Sequence, residues 1–147
     1  MNYVDITQFK YRMAEDEEFK LPADFYSIVH TEEFLSLHHG VLTVKAGYLW
    51  DGTSGPTFDT VETMRGGAAH DALYELMRKG IIPQCMKGAV DLYFKGILLE
   101  DHMDKLRAWY FHKGVAVFGR SSCKVQPSTK PQVQDTELML ARKYRKR

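Results

Sequence analysis

Two cysteines among 147 residues exclude a disulfide framework, and Cys85 and Cys123 lack the paired spacing of a zinc site. One bridge between them stays open, while free thiols in a reducing compartment are the reading the composition favours. No apolar run reaches the length that spans a bilayer, and residues Met1 to Asp5 lack the charged-then-apolar pattern of a secretory signal. An excess of one charge is missing too. The 20 basic and 19 acidic side chains leave a net charge of +1, too little for the fold as a whole to hold nucleic acid electrostatically. There are no internal repeats. The expectation is a soluble cytoplasmic protein, unless lysis releases it or a larger assembly carries it. Its length suits one domain with a core that needs no disulfide or metal staple.

The front of the chain alternates as strands do. Residues 3–13 set Tyr3, Val4, Ile6, Phe9, Tyr11 and Met13 among polar neighbours, which predicts a strand. The acids Glu15 to Glu18 read as a turn, and Phe25 to Val29 as a further strand after Pro22. From Phe34 to Tyr48 the pattern is a hairpin turning at His38-His39-Gly40. Past Pro56 the period becomes helical. A helix capped by Asp59 or Thr60 should run to about Lys79, with Gly80 beyond its end. A second should span about Gln84 to Asp101, with Met86, Val90, Phe94 and Ile97 on its apolar stripe. A third, about His102 to Phe118, should bury Met103, Leu106, Tyr110 and Val117. The fold class expected is α+β: a small N-terminal antiparallel sheet (1–50) packed on a three-helix unit (60–118), in one domain over 1–119. Residues 120–147 are expected to form an extended arm holding Pro127 and Pro131. The arm should end in an amphipathic segment (Leu138, Met139, Leu140, Tyr144) and a basic terminus (Arg142, Lys143, Arg145, Lys146, Arg147).

Chemistry concentrates between Tyr48 and Asp91. On the first helix His70 and Tyr74, four residues apart, share a face, and Asp71 lies about 100° round from His70. Burying adjacent titratable groups on a mostly apolar helix is costly without a purpose. Gly66 and Gly67, one turn earlier, cost roughly 1 kcal/mol each relative to alanine, which close approach of another backbone would justify, the Asp51–Pro56 loop being the candidate. The alternative is a crowded helix crossing beside a solvated His-Asp pair. The short connection Gly80 to Pro83 makes the first two helices antiparallel neighbours, so Asp91 can reach the His70 imidazole. A carboxylate holding one ring nitrogen leaves the other to take a proton from water. Asp91 could instead be a polar edge residue. The loop from Asp51 offers a carboxylate and carbonyls such as that of Gly52. Together with Asp71 these would suit a hard cation such as calcium, although an Asp-Gly turn is often only a turn. His38 and His39 belong to the hairpin tip, and His30, His102 and His112 are scattered without metal-ligand spacing. Ser54 does not sit in a G-x-S-x-G nucleophile turn.

Three segments carry a resemblance over about Leu35 to Gly119: G47-Y-L-W-D-G-T-S-G-P, A68-A-H-D-A-L-Y and A89-V-D-L-Y-F. Together they resemble a family of short phage and prophage proteins, and so imply a phage origin. The same residues are similar to the active-site pattern of calcium-dependent secreted phospholipases of the compact prokaryotic kind. That resemblance implies calcium ligation by Asp51, Gly52 and Asp71, His70 as the base that activates water, Asp91 as its orienting partner, and Tyr74 steadying the network. It covers the loop and two helices, not the front sheet. The disulfides and signal peptide of those enzymes are missing, and the arm after Gly119 has no counterpart there.

Two functions follow as expectations. One is a metal-dependent hydrolase of a lipid or related ester, with Leu73, Met77 and Phe94 lining an acyl-accepting groove. The other is a non-catalytic phage structural or accessory protein that keeps the motif as architecture. It would dock to a virion or host protein through residues 120–147. Host cytoplasm, or a phage particle, is the implied location.

Overall fold

A computed structural model describes residues 3–5, 11–50, 61–120 and 123–124. The fold is α+β, strands first and helices after. The strands are β1 (Tyr3–Asp5), β2 (Tyr11–Met13), β3 (Glu17–Lys20), β4 (His30–Thr31), β5 (Leu35–His38), β6 (Val41–Val44) and β7 (Leu49–Trp50). They form two antiparallel sheets instead of the single one expected, in orders β1-β2-β7 and β3-β6-β5-β4.

The expected hairpin is present. Leu37 pairs with Leu42, and Leu35 with Val44. His39 and Gly40 both take positive φ at its tip, the backbone a two-residue turn needs to match strand twist. Leu35, Leu37, Leu42 and Val44 are enclosed, one every second residue, as alternation requires.

Two expectations for the front third are corrected. Half of the acidic cluster read as a turn belongs to β3, where Phe19 alternates inward between Glu18 and Lys20. Phe25 to Val29 is not a strand: Ala23–Phe25 is a 3-10 turn after Pro22, and it drops Phe25 into the core.

The helices are α1 (Val61–Arg78), α2 (Lys87–Glu100, entered through a 3-10 turn at Gln84–Met86) and α3 (Lys105–Phe118). Gly80 ends α1 with a φ of +76°, and the Ile81 N–H closes back on the Leu76 carbonyl at 2.9 Å, a glycine-terminated cap. The caps expected at Asp59 or Thr60 lie outside the described residues.

The third helix starts three residues later than expected. His102 takes a φ of +67°, and the Asp104 side chain accepts from the N–H groups of Leu106 and Arg107, an N-cap that sets the start. Its buried stripe differs as well. Ala108, Phe111 and Val115 are enclosed, whereas Leu106, Tyr110 and Val117 face outward.

α1 is the central element, with Ala68, Ala69, Ala72, Leu73, Leu76 and Met77 without solvent exposure. It packs on β6 on one side and on α2 on the other. Arg65 near its start reaches Asp101 at 3.1 Å and Glu100 at 2.7 Å, so α1 and α2 run antiparallel. Gly66 makes room for α2: a Cβ there would stand 3.2 Å from Leu98 and from the Phe94 ring. Side chains of α2 therefore approach Gly66 closely; the Asp51–Pro56 loop expected to do so lies outside the described residues. Phe94 and Leu98 continue into a second apolar cluster with Met103, Ala108, Phe111 and Val115, which holds α3 in place.

Candidate active site

The antiparallel crossing of α1 and α2 brings three of the expected residues together. His70 and Tyr74 occupy one face of α1, one turn apart, and Asp91 comes from the second turn of α2. His70 Nε2 lies 2.9 Å from Asp91 Oδ1, and the Tyr74 hydroxyl donates to the same oxygen at 2.6 Å. All three are buried, at 4%, 2% and 2% exposure for His70, Tyr74 and Asp91. Asp91 is thus not a polar edge residue; of the adjacent His70 and Asp71, His70 is buried and Asp71 is half-buried. The imidazole is held by ring contacts with Tyr74 at 4.0 Å and Phe94 at 4.8 Å between centroids.

A buried carboxylate is costly unless its oxygens are satisfied. Lys87, one turn before Asp91 on the same helix, supplies the remaining partner: its ammonium lies 2.5 Å from Asp91 Oδ2. That ammonium also donates to the carbonyls of Val115 and Ala116 near the end of α3, at 3.1 and 3.3 Å, where the negative end of the helix dipole favours a cation. Burial by itself would raise the Asp91 pKa. The hydrogen bonds from His70, Lys87 and Tyr74 outweigh it and hold the carboxyl below its ordinary value of 3.8. Burial and the Asp91 carboxylate push the Tyr74 hydroxyl far up, so it stays a donor.

The tautomer follows from the same chemistry. An ionised carboxylate only accepts, so His70 Nε2 carries a proton, and the tautomer that leaves a lone pair has it on Nδ1. Among the described residues no hydrogen bond is made to Nδ1.

Gly119, directly after α3, lies against this cluster. A Cβ there would meet the Tyr74 hydroxyl and the Val115 carbonyl at 2.4 Å. Beyond it the Cys123 carbonyl accepts from Gln84 at 2.6 Å, and Cys123 is 2% exposed. The root of the expected arm is therefore packed into the domain at Cys123. The remainder, from residue 125 to the basic terminus, lies outside the described residues. Cys85 is exposed, and both thiols are free.

The expected metal set is divided. Asp71 sits half-buried on α1 and its Oδ2 accepts from the Tyr48 hydroxyl at 3.0 Å. That phenol is raised well above its usual pKa, by burial first and then by the Asp71 and Glu75 carboxylates. Asp51 and Gly52 lie outside the described residues, so their convergence with Asp71 is not described. Calcium takes six to eight oxygens, and among the described residues no group of three or more His, Cys, Asp or Glu side chains could hold a metal ion. Asp71 is a carboxylate, the right chemical class for such a site. The described residues alone do not complete a site. Leu73 and Met77 have no solvent exposure and belong to the core, so they do not line the groove expected of them.

Lys87, Tyr48 and Gly119 were not singled out from the sequence. Lys87 stands four residues before Asp91, a spacing that signals a helical ion pair. Nothing local signalled Tyr48 or Gly119, whose partners lie 23 and 45 residues away in sequence. Comparison of the chain with protein-family models, with curated proteins and with solved structures finds no match. The site is therefore read from its own geometry.

Proposed function

We propose that the protein is a phage-encoded, phospholipase-like hydrolase of a lipid or related ester. The observation that carries this reading is the buried His70–Asp91 pair, in which Asp91 fixes the tautomer and orientation of a ring whose Nδ1 retains its lone pair. In the proposed reaction Nδ1 takes a proton from water as the water oxygen adds to the ester carbonyl carbon. The proton then passes to the departing alkoxide as the ester C–O bond breaks, leaving acid and alcohol. Tyr74 holds Asp91 in place, and Lys87 keeps it ionised. Asp51, the Gly52 carbonyl and Asp71 are the groups proposed to hold calcium, which when bound supplies positive charge where the oxyanion develops. The phage origin rests on the three-segment resemblance.

The test uses His70→Gln, whose amide can still donate to Asp91. Ester hydrolysis should be lost while the thermal midpoint stays near that of the wild type. A folded variant turning over at the wild-type rate would remove the reading. Calorimetry with calcium on the wild type and on Asp71→Asn tests the metal separately: binding present in the first and absent in the second is expected.

A second reading is favoured by Lys87. Its ammonium ties Asp91 to the end of α3, so the network joins three helices whether or not it turns over substrate. On that reading the chain is a phage structural or accessory protein, docked to a virion or host protein through residues 120–147. Co-sedimentation of the chain with phage particles, lost on truncation after Lys124, is its expected signature.

A further inference from the structure

α3 is apolar on two opposite sides. At about 100° per residue, Ala108, Phe111 and Val115 fall together and form the buried face. Leu106, Tyr110 and Val117 fall together on the other side, where they are 73%, 52% and 61% exposed, with Trp109 beside them at 48%. A helix that is apolar all round is ordinarily covered all round. Among the described residues, nothing covers this outer stripe.

Charge selects the occupant. α3 carries Lys105, Arg107 and Lys113 and no acidic residue, with Arg120 just beyond its end; Arg107 faces Glu62 of α1 at 4.0 Å, which leaves Lys105 and Lys113 to set the charge of the outer side. Lys113 lies on the outer stripe between Tyr110 and Val117, its ammonium 5.8 Å from the centre of the Trp109 ring. A second copy placed stripe to stripe would oppose these cations to themselves, and the basic residues 142–147 are no better matched. A surface that is apolar within and negative at its boundary satisfies both features. Trp and Tyr rest at headgroup level, aliphatic side chains enter the acyl boundary, and lysines meet phosphates. Among the described residues no helix is long and apolar enough to cross a membrane.

We propose that the outer face of α3 docks on an anionic lipid bilayer, with Leu106, Trp109, Tyr110 and Val117 in the interface and Lys105 and Lys113 against the headgroups. Docking needs neither His70 nor a metal, so it stands independently of the hydrolase reading.

The experiment is sedimentation of the full chain with phosphatidylcholine vesicles, with and without phosphatidylglycerol, alongside tryptophan emission. Two lysines at an anionic surface should favour the phosphatidylglycerol vesicles by about thirtyfold. Trp109 should shift to the blue against the constant background of Trp50, which is 1% exposed. The double variant L106D/V117D should weaken binding at least about tenfold with unchanged far-UV dichroism and thermal midpoint, because both positions are exposed. His70→Gln should dock as the wild type does, whatever its activity. Three results would overturn the proposal. Binding left unchanged by the double variant would put the contact elsewhere, the basic terminus included. Equal or absent binding to the two kinds of vesicle would remove the anionic surface. A wild-type dimer that the double variant dissociates would make a second copy the occupant.

Discussion

The inner face of the four-stranded sheet and the α1–α2 crossing are both buried, but they are filled differently. Beneath the sheet the enclosed side chains are Phe19, Leu35, Leu37, Leu42 and Val44, all apolar. Between the helices, apolar packing surrounds His70 and Asp91, with Lys87 at the margin. In the first region each side chain contributes by the area it removes from water, about 2 kcal/mol for a leucine, and its loss leaves a cavity. In the second each group is tolerable only because its partners are present, so deletion strands a charge. Replaceable contacts build the sheet; mutually dependent ones build the crossing.

Removing Asp91 is the strongest test of that difference. Asp91→Ala leaves the His70 N–H without its acceptor and Lys87 without its counter-charge and should lower stability by about 4 kcal/mol, the scale for a broken buried ion pair, as read by denaturant unfolding. Leu37→Ala, a cavity beneath the sheet, should cost about 3 kcal/mol. If the Asp91 variant proved no worse than the leucine variant, the crossing would be ordinary packing. Tyr74→Phe removes one of two donors to Asp91 Oδ1 and should cost about 1 kcal/mol, with His70 still in place. Leu106→Ala on the outer face of α3 should change stability by less than about 0.5 kcal/mol, since its side chain is largely exposed.

Acid sharpens the contrast further. Asp91 titrates below its ordinary value in the folded protein, so its ionised form contributes stability that is fully present above the unfolded carboxyl pKa. That contribution is lost as pH falls through the lower folded value. The stability gap between wild type and Asp91→Asn should therefore be constant above about pH 5 and shrink below about pH 4. The gap between wild type and Leu37→Ala should not follow that curve. Unfolding midpoints measured across this range separate the two regions.

Much of the site was legible before any coordinates. The i, i+4 spacing of His70 and Tyr74 places both on one helical face, and the short connection after Gly80 folds α2 back so that Asp91 arrives beside them. These are local consequences of helical period and loop length. The network's other half was not legible. Lys87 gives its ammonium to carbonyls 28 and 29 residues away, and Tyr48 reaches Asp71 from another element. In the front third, Phe25 satisfies the alternation of a strand but sits in a 3-10 turn, because Pro22 sets the local backbone and burial needs only that the ring point inward.

By itself the amino-acid sequence determined that strands precede helices, where α1 ends, and that His70 and Tyr74 share a face with Asp91 within reach, since periodicity and short connections act over a few residues. Only the tertiary structure decided which of α3's two apolar faces is covered and which charges answer Asp91. Both depend on what stands opposite in space. The stripe of Leu106, Tyr110 and Val117 is as apolar by spacing as that of Ala108, Phe111 and Val115. It was the presence of Phe94 and Leu98 on α2 that drew the second inward.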